Sequence, residues 1–126
     1  MASRLEPEKN IDLAIRAWTH VIQKSPDTGL IIVGRGSLTH HLHMLVNRLG
    51  LQSKVIFEPW IDMPTLISYY KTADIFLNTS FYEGYGLTLV EAHAAGCRII
   101  STDVGVAREV GATIVGYDVE SIVNSL

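Results

Sequence analysis

Nothing in this chain narrows its possible folds more than the run Asp74-Ile75-Phe76-Leu77-Asn78, followed at once by Thr79-Ser80-Phe81-Tyr82-Glu83-Gly84-Tyr85-Gly86 and then by Leu87-Thr88-Leu89-Val90-Glu91-Ala92. The first segment reads as a strand covered on both faces, and the last as an apolar helix that stops at Gly96. Between them the glycines of Gly84-Tyr85-Gly86 let backbone approach a ligand closely, and the N–H groups of Gly86, Leu87 and Thr88 open the helix at the positive end of its dipole. That arrangement suits an anionic group, most simply a phosphate.

Two carboxylates flank the turn. Glu83 precedes it, and Glu91 sits in the second turn of a helix that is otherwise almost wholly apolar, while no Lys or Arg occurs from Thr72 to Cys97. A covered carboxylate needs hydrogen-bond donors or a cation, so these must come from distant parts of the chain or from a ligand, and the hydroxyls of a ribose or hexose would serve. The alternative places Glu91 on a solvent-facing stripe and leaves Glu83 as a loop acid.

The rest of the chain repeats the same alternation. Ile11, Ala14, Ile15, Trp18, Val21 and Ile22 recur at helical spacing between Glu8 and Ser25-Pro26. Leu30-Ile31-Ile32-Val33 is a short apolar strand, and Gly34-Arg35-Gly36 then turns into a helix with Ser37 as its expected N-cap, ending at Gly50. Lys54–Glu58 gives a third strand, and Asp62 before Pro64 starts a helix over Thr65–Thr72. Beyond Gly96 come strands at Arg98–Ser101 and Ala112–Val115 and a helix from Asp118 towards Leu126. About five strands alternate with about five helices, which predicts an α/β fold: one Rossmann-like parallel sheet with helices on both faces. The candidate residues then gather at strand C-terminal ends, where such sheets bind ligands.

Other side chains admit two readings each. Arg4 and Lys9 flank the start of the first helix, either as solvated surface charges or as a fork and a point charge for a diphosphate. Trp60 either stacks on a base or packs in the core. His40 and His43 share a helix face at i,i+3, but no Cys, Asp or Glu lies near them or His41 to complete a ligand set, and no metal is expected. His93 reads as a packing histidine.

At 126 residues, with 48% hydrophobic and 18% charged residues, the chain is one compact domain. A net charge of −3 gives no footprint for nucleic acid. Cys97 alone cannot form an internal disulfide and fits a reducing compartment, and there is neither a transmembrane segment nor a signal peptide, which points to the cytoplasm.

The run Glu83-Gly84-Tyr85-Gly86-Leu87-Thr88-Leu89-Val90-Glu91-Ala92 resembles the signature of retaining glycosyltransferases of the glycogen-synthase-like family 4, which have the GT-B fold. Arg4-Leu5-Glu6-Pro7-Glu8-Lys9-Asn10 is similar to that family's phosphate element, Leu30–Gly36 to its second strand and glycine turn, and Ala95–Gly105 falls in the expected order. The resemblance departs at Ser3, Arg98 and Val106, where the family commonly has glycine, proline and glycine.

The resemblance implies that residues 1–126 form the nucleotide-sugar-binding, C-terminal half of such an enzyme. The acceptor-binding N-terminal domain would be absent, and the first strand cut short, with Met1-Ala2-Ser3 either its remnant or an unrelated start. Implied catalytic residues are Glu83, Arg4 and Lys9; implied donor-binding residues are Glu91, Gly84, Tyr85, Gly86, Leu87, Thr88, Gly34 and Trp60. The substrate would be a nucleotide-diphosphate sugar, with no cofactor or metal, and the partners that donor and the missing domain, through which the enzyme could also sit at a membrane. Two other readings are a nucleotide-sugar 2-epimerase relative and a non-catalytic α/β interaction module.

Overall fold

The computed structural model describes residues 1–126. A 3₁₀ turn at Pro7–Lys9 leads into α1 (Ile11–Lys24), then β1 (Leu30–Val33), α2 (Thr39–Arg48), β2 (Val55–Glu58), α3 (Met63–Thr72), β3 (Ile75–Asn78), α4 (Leu87–Ala94), β4 (Arg98–Ser101), β5 (Thr113–Ile114) and α5 (Val119–Ser125). Every strand pairing is parallel: β1 with β2, and β3 with β4 and then β5. Successive residues of a strand face opposite sides, and in β1, β3 and β4 both sides are largely covered, whereas Ile56 of the edge strand β2 is exposed. Leu77 and Ile100 enter the core under α1, α2 and α5, whereas Phe76 and Ile99 enter a smaller core with Tyr70 of α3 and Leu89 and Ala92 of α4. The short apolar runs of the sequence are what this two-sided burial requires.

Hydrogen bonding divides the expected single sheet into a two-stranded and a three-stranded ladder. The residues between them are Met1–Ser3. The Met1 amine donates to Ile31 O at 2.9 Å, Val33 N–H to Met1 O at 2.9 Å and Ser3 N–H to Val33 O at 3.0 Å, all on the β1 side. Ala2 N–H and C=O therefore alternate toward β3, and they make no backbone hydrogen bond to it. A groove of about 340 Å³ lies alongside, walled by Leu30 and Ile31 on one strand and Ile75 and Leu77 on the other. Trp18 also lines it, and its Nε1 is the one buried side-chain polar atom without a hydrogen-bond partner.

Several local expectations change. The first helix does not run from Glu8, because Asn10 takes a left-handed conformation at φ 49° and separates the 3₁₀ turn from α1. Ser37 does not cap α2, whose N-cap is Leu38. Its backbone N–H and hydroxyl instead both bond to Glu6, at 3.0 and 2.5 Å, which holds the Glu6 carboxyl below the usual carboxylate range. Asp62 does cap α3, accepting from Thr65 N–H at 2.9 Å, and the helix begins at Met63. No helix is long and apolar enough to cross a membrane.

Candidate functional site

The C-terminal ends of β3 and β4 carry a buried polar cluster where apolar residues would pack more cheaply. Asn78, Thr79, Ser80, Ser101 and Thr102 are all buried, and they are tied to one another. Asn78 Nδ2 donates to Ser101 Oγ at 3.0 Å, Ser101 Oγ to Thr102 O at 2.7 Å and Thr102 Oγ1 to Ser80 O at 2.6 Å. Thr79 Oγ1 reaches back to Lys9 O and Asn10 O at 3.1 and 2.9 Å, and Phe81 N–H donates to Glu8 O at 2.8 Å. These bonds fasten the segment before α1 to the end of β3, residues some seventy positions apart. Buried polar groups so satisfied rigidify a site rather than weaken it.

That fastening brings Lys9 to Glu83. Lys9 Nζ lies 2.9 Å from Glu83 Oε1, with both side chains mostly shielded at 13% and 14% exposure. Ser80 Oγ lies 2.7 Å from the same Glu83 oxygen and 2.8 Å from Asn78 Oδ1. The cation absent from Thr72–Cys97 is thus supplied by the other end of the chain. Arg4 is not part of this cluster, since it is exposed and pairs with Glu8 at 3.0 Å.

The turn after Glu83 is shaped by glycines for different reasons. Gly86 is the N-cap of α4 at φ 93°, a conformation that L side chains rarely adopt. Gly105, at φ 50°, packs against this turn so closely that a Cβ would meet Tyr85 O at 2.4 Å, and Val106 N–H donates to Tyr85 O at 2.9 Å. A Cβ on Gly84 would meet nothing closer than 3.9 Å, so its flank is open. The N–H groups of Gly86, Leu87 and Thr88 have no acceptor in the chain, leaving three aligned donors at the start of α4. Tyr82, Tyr85 and Leu87 are exposed around them.

Glu91 is neither solvated nor bare. It is half-buried, and its Oε2 accepts from the Tyr70 hydroxyl at 3.2 Å. Tyr70 is buried, with its ring edge-on to Phe76 at 5.4 Å, and burial first, then the Glu91 charge, pushes its pKa up. Sequence reasoning passed over Tyr70; its place as the one buried residue of α3 is the signal that a helical-face reading could have used.

The remaining candidates separate from this centre. Gly34 is required by close packing, because a Cβ there would meet Ser3 O at 1.9 Å. Trp60 is 69% exposed and takes no part in the core. His93 is exposed, not a packing histidine. His41 pairs with Asp12 at 2.8 Å and His43 stacks on Phe57, and no three His, Cys, Asp or Glu side chains come together as metal ligands.

Comparison with known proteins gives this geometry a family. The model of the glycosyl transferases group 1 family matches residues 1–120. An uncharacterized glycosyltransferase of Methanocaldococcus jannaschii is 34% identical over 107 residues, which cover 85% of this chain and 27% of the relative. A GDP-mannose-dependent alpha-(1-6)-phosphatidylinositol monomannoside mannosyltransferase of Mycolicibacterium smegmatis is 31% identical over 137 residues, covering 98% of this chain and 36% of the relative. The chain thus spans 27% and 36% of the length of these two relatives. Among solved structures, the C-terminal domain of LpcC, a group 1 family protein of Francisella tularensis, superposes with a TM-score of 0.86 at 26% identity, covering 99% of this chain and 70% of that one. The pneumococcal O-GlcNAc transferase GtfA, solved with UDP and GlcNAc, superposes at 0.80 and 26% identity, covering 98% of this chain and 26% of that one. The chain therefore belongs to the glycosyl transferases group 1 family and has the fold of a GT-B glycosyltransferase.

Proposed function

We propose that the chain is the nucleotide-sugar-binding, C-terminal domain of a retaining glycosyltransferase of family 4, working on the cytoplasmic side with an acceptor-binding domain that precedes it. The single observation that carries this reading is the convergence at one sheet edge of a cation, a carboxylate and three unpaired amides: Lys9, Glu83 and the N–H groups of Gly86, Leu87 and Thr88. Transfer of a glycosyl group breaks the bond from sugar to phosphate, and the departing diphosphate gains charge. The unpaired amides, fixed at the start of α4, stabilise that charge without having to reorganise, and Lys9 adds its cation once Glu83 releases it.

The roles divide accordingly. Lys9 and the α4 amides take the diphosphate, with Arg4 swinging from Glu8 to join them. Glu83 gives up Lys9 and accepts from hydroxyls of the donor sugar, so the shielded ion pair is exchanged for two ligand contacts. Glu91 accepts from the ribose. Gly84 and Tyr85 shape the open side of the turn, and Trp60, whose exposure leaves its ring free to stack, would take the base. Neither a metal nor a cofactor is needed for these steps, and the acceptor domain would close over the site to orient the acceptor and exclude water.

Thermal stability of the chain, measured against UDP-, GDP- and ADP-sugars, tests the reading. A shift with one base, lost in Lys9→Ala and Glu91→Ala, is expected. A chain that no donor stabilises, and that shows no amide shifts at Gly86–Thr88 by NMR with any donor, is not a donor-binding domain.

A further inference from the structure

Tyr70 lies in α3, outside every segment given a role above, yet its hydroxyl is the sole hydrogen-bond partner the chain offers to the Glu91 carboxylate. Three features define the contact. The phenol is fixed: Tyr70 is 4% exposed and its ring is held at 84° to Phe76 of β3. The contact is one-sided, reaching Oε2 alone at 3.2 Å and leaving Oε1 without a partner in the chain. It is also uncharged, since Glu91 enters no ion pair.

A carboxylate has about four acceptor positions, and a cationic guanidinium would occupy two of them and neutralise the charge. A phenol does neither. It fixes the rotation of the carboxylate and leaves the free oxygen charged and accepting, which is the state that a vicinal diol needs. We propose that Tyr70 is a positioning residue for Glu91, orienting its carboxylate so that the free oxygen accepts from the ribose hydroxyls of the nucleotide. The role rests on the reading of Glu91 as the ribose-binding group given above. Burial and the neighbouring carboxylate both raise the phenol's pKa, so it stays a donor across the pH range in which glycosyl transfer runs.

A double-mutant cycle tests this with UDP, GDP and ADP and their 2′,3′-dideoxyribose counterparts, which lack both hydroxyls and are the deoxyribonucleotides compared below, titrated calorimetrically into the 126-residue chain. Tyr70→Phe keeps the ring against Phe76, and its melting temperature without nucleotide shows that the core is retained. For the best-bound base, the expected result is that Tyr70→Phe weakens the ribonucleotide roughly tenfold, as loss of a hydrogen bond to a charged group does. The deoxyribonucleotide should be unaffected, and Tyr70→Phe should add nothing in the Glu91→Ala background. Equal weakening of ribo- and deoxyribonucleotides, or the same loss in the Glu91→Ala background, makes Tyr70 a packing residue and overturns the proposal. An unaltered chain that binds both sugars equally overturns the ribose reading of Glu91 and this role with it, while leaving the phosphate site standing. An unaltered chain that binds no nucleotide overturns the donor-site reading as a whole.

Discussion

In the isolated 126-residue polypeptide, where Met1 carries a free amine, that amine gives a direct physical test of this structure. Met1 is partly buried beside β1, its amine bonded to Ile31 O, and burial lowers the amine's pKa from 8.0 to about 6, a fall that the nearby Cys97 thiol partly opposes. For a base whose folded pKa is lowered, the folded state binds fewer protons than the unfolded state between the two values. Below pH 6 both states carry the ammonium, and the folded state bears its full desolvation cost. Stability then rises with pH through the window from about 6 to 8, above which both states are neutral and the cost is gone. A shift of that size corresponds to about 3 kcal/mol. For a chain of 126 residues that is a rise in melting temperature of roughly 10 °C.

Urea unfolding at half-unit steps from pH 5.5 to 8.5 measures the effect, with intact mass confirming that Met1 is retained. The five histidines titrate in the same window, so the decisive comparison is with Nα-acetylated chain, which lacks the amine and keeps every histidine. Acetylated protein should show a rise smaller by about 3 kcal/mol than the free-amine form. Equal pH dependence in the two forms, or an amine that titrates near 8 by NMR, would show that the amine is solvated. In that case Met1 does not pair with Ile31 and the groove beside β3 has been misplaced.

Two further expectations concern the site. Lys9→Met leaves Glu83 shielded without its cation and should cost about 2 kcal/mol in urea unfolding, most of it recovered in Lys9→Met/Glu83→Gln; a double variant no more stable than the single one would show that the pair is not coupled. Gly105→Ala pushes a Cβ against Tyr85 O, a backbone atom that cannot rotate away, so it should shift the Gly84–Gly86 amide resonances in NMR spectra; an unchanged spectrum there would refute the buttress.

Much of this architecture is set by local pattern. Short apolar runs of two to four residues within Leu30–Val33, Val55–Glu58, Ile75–Asn78 and Arg98–Ser101, separated by amphipathic stretches, leave few alternatives to parallel strands with helices on both faces. The turn at Gly84-Tyr85-Gly86 and the start of α4 were legible for the same reason: glycine and an opening helix act over a few residues. The Ser37 cap misled because Glu6, thirty-one residues away, competes for the same groups.

What bonds to each carboxylate was decided by tertiary structure alone. Sequence established that Glu83 and Glu91 had no cation nearby in the chain; it did not choose Lys9 for one and Tyr70 for the other, at separations of 74 and 21 residues. Nor did it show that Met1–Ser3 would bond to β1 while leaving the facing edge of β3 unpaired. Periodic burial is a property of neighbouring residues and can be read along the chain. Hydrogen-bond partners are fixed by where crossovers return the chain to the sheet edge, and that placement exists only once both cores have packed.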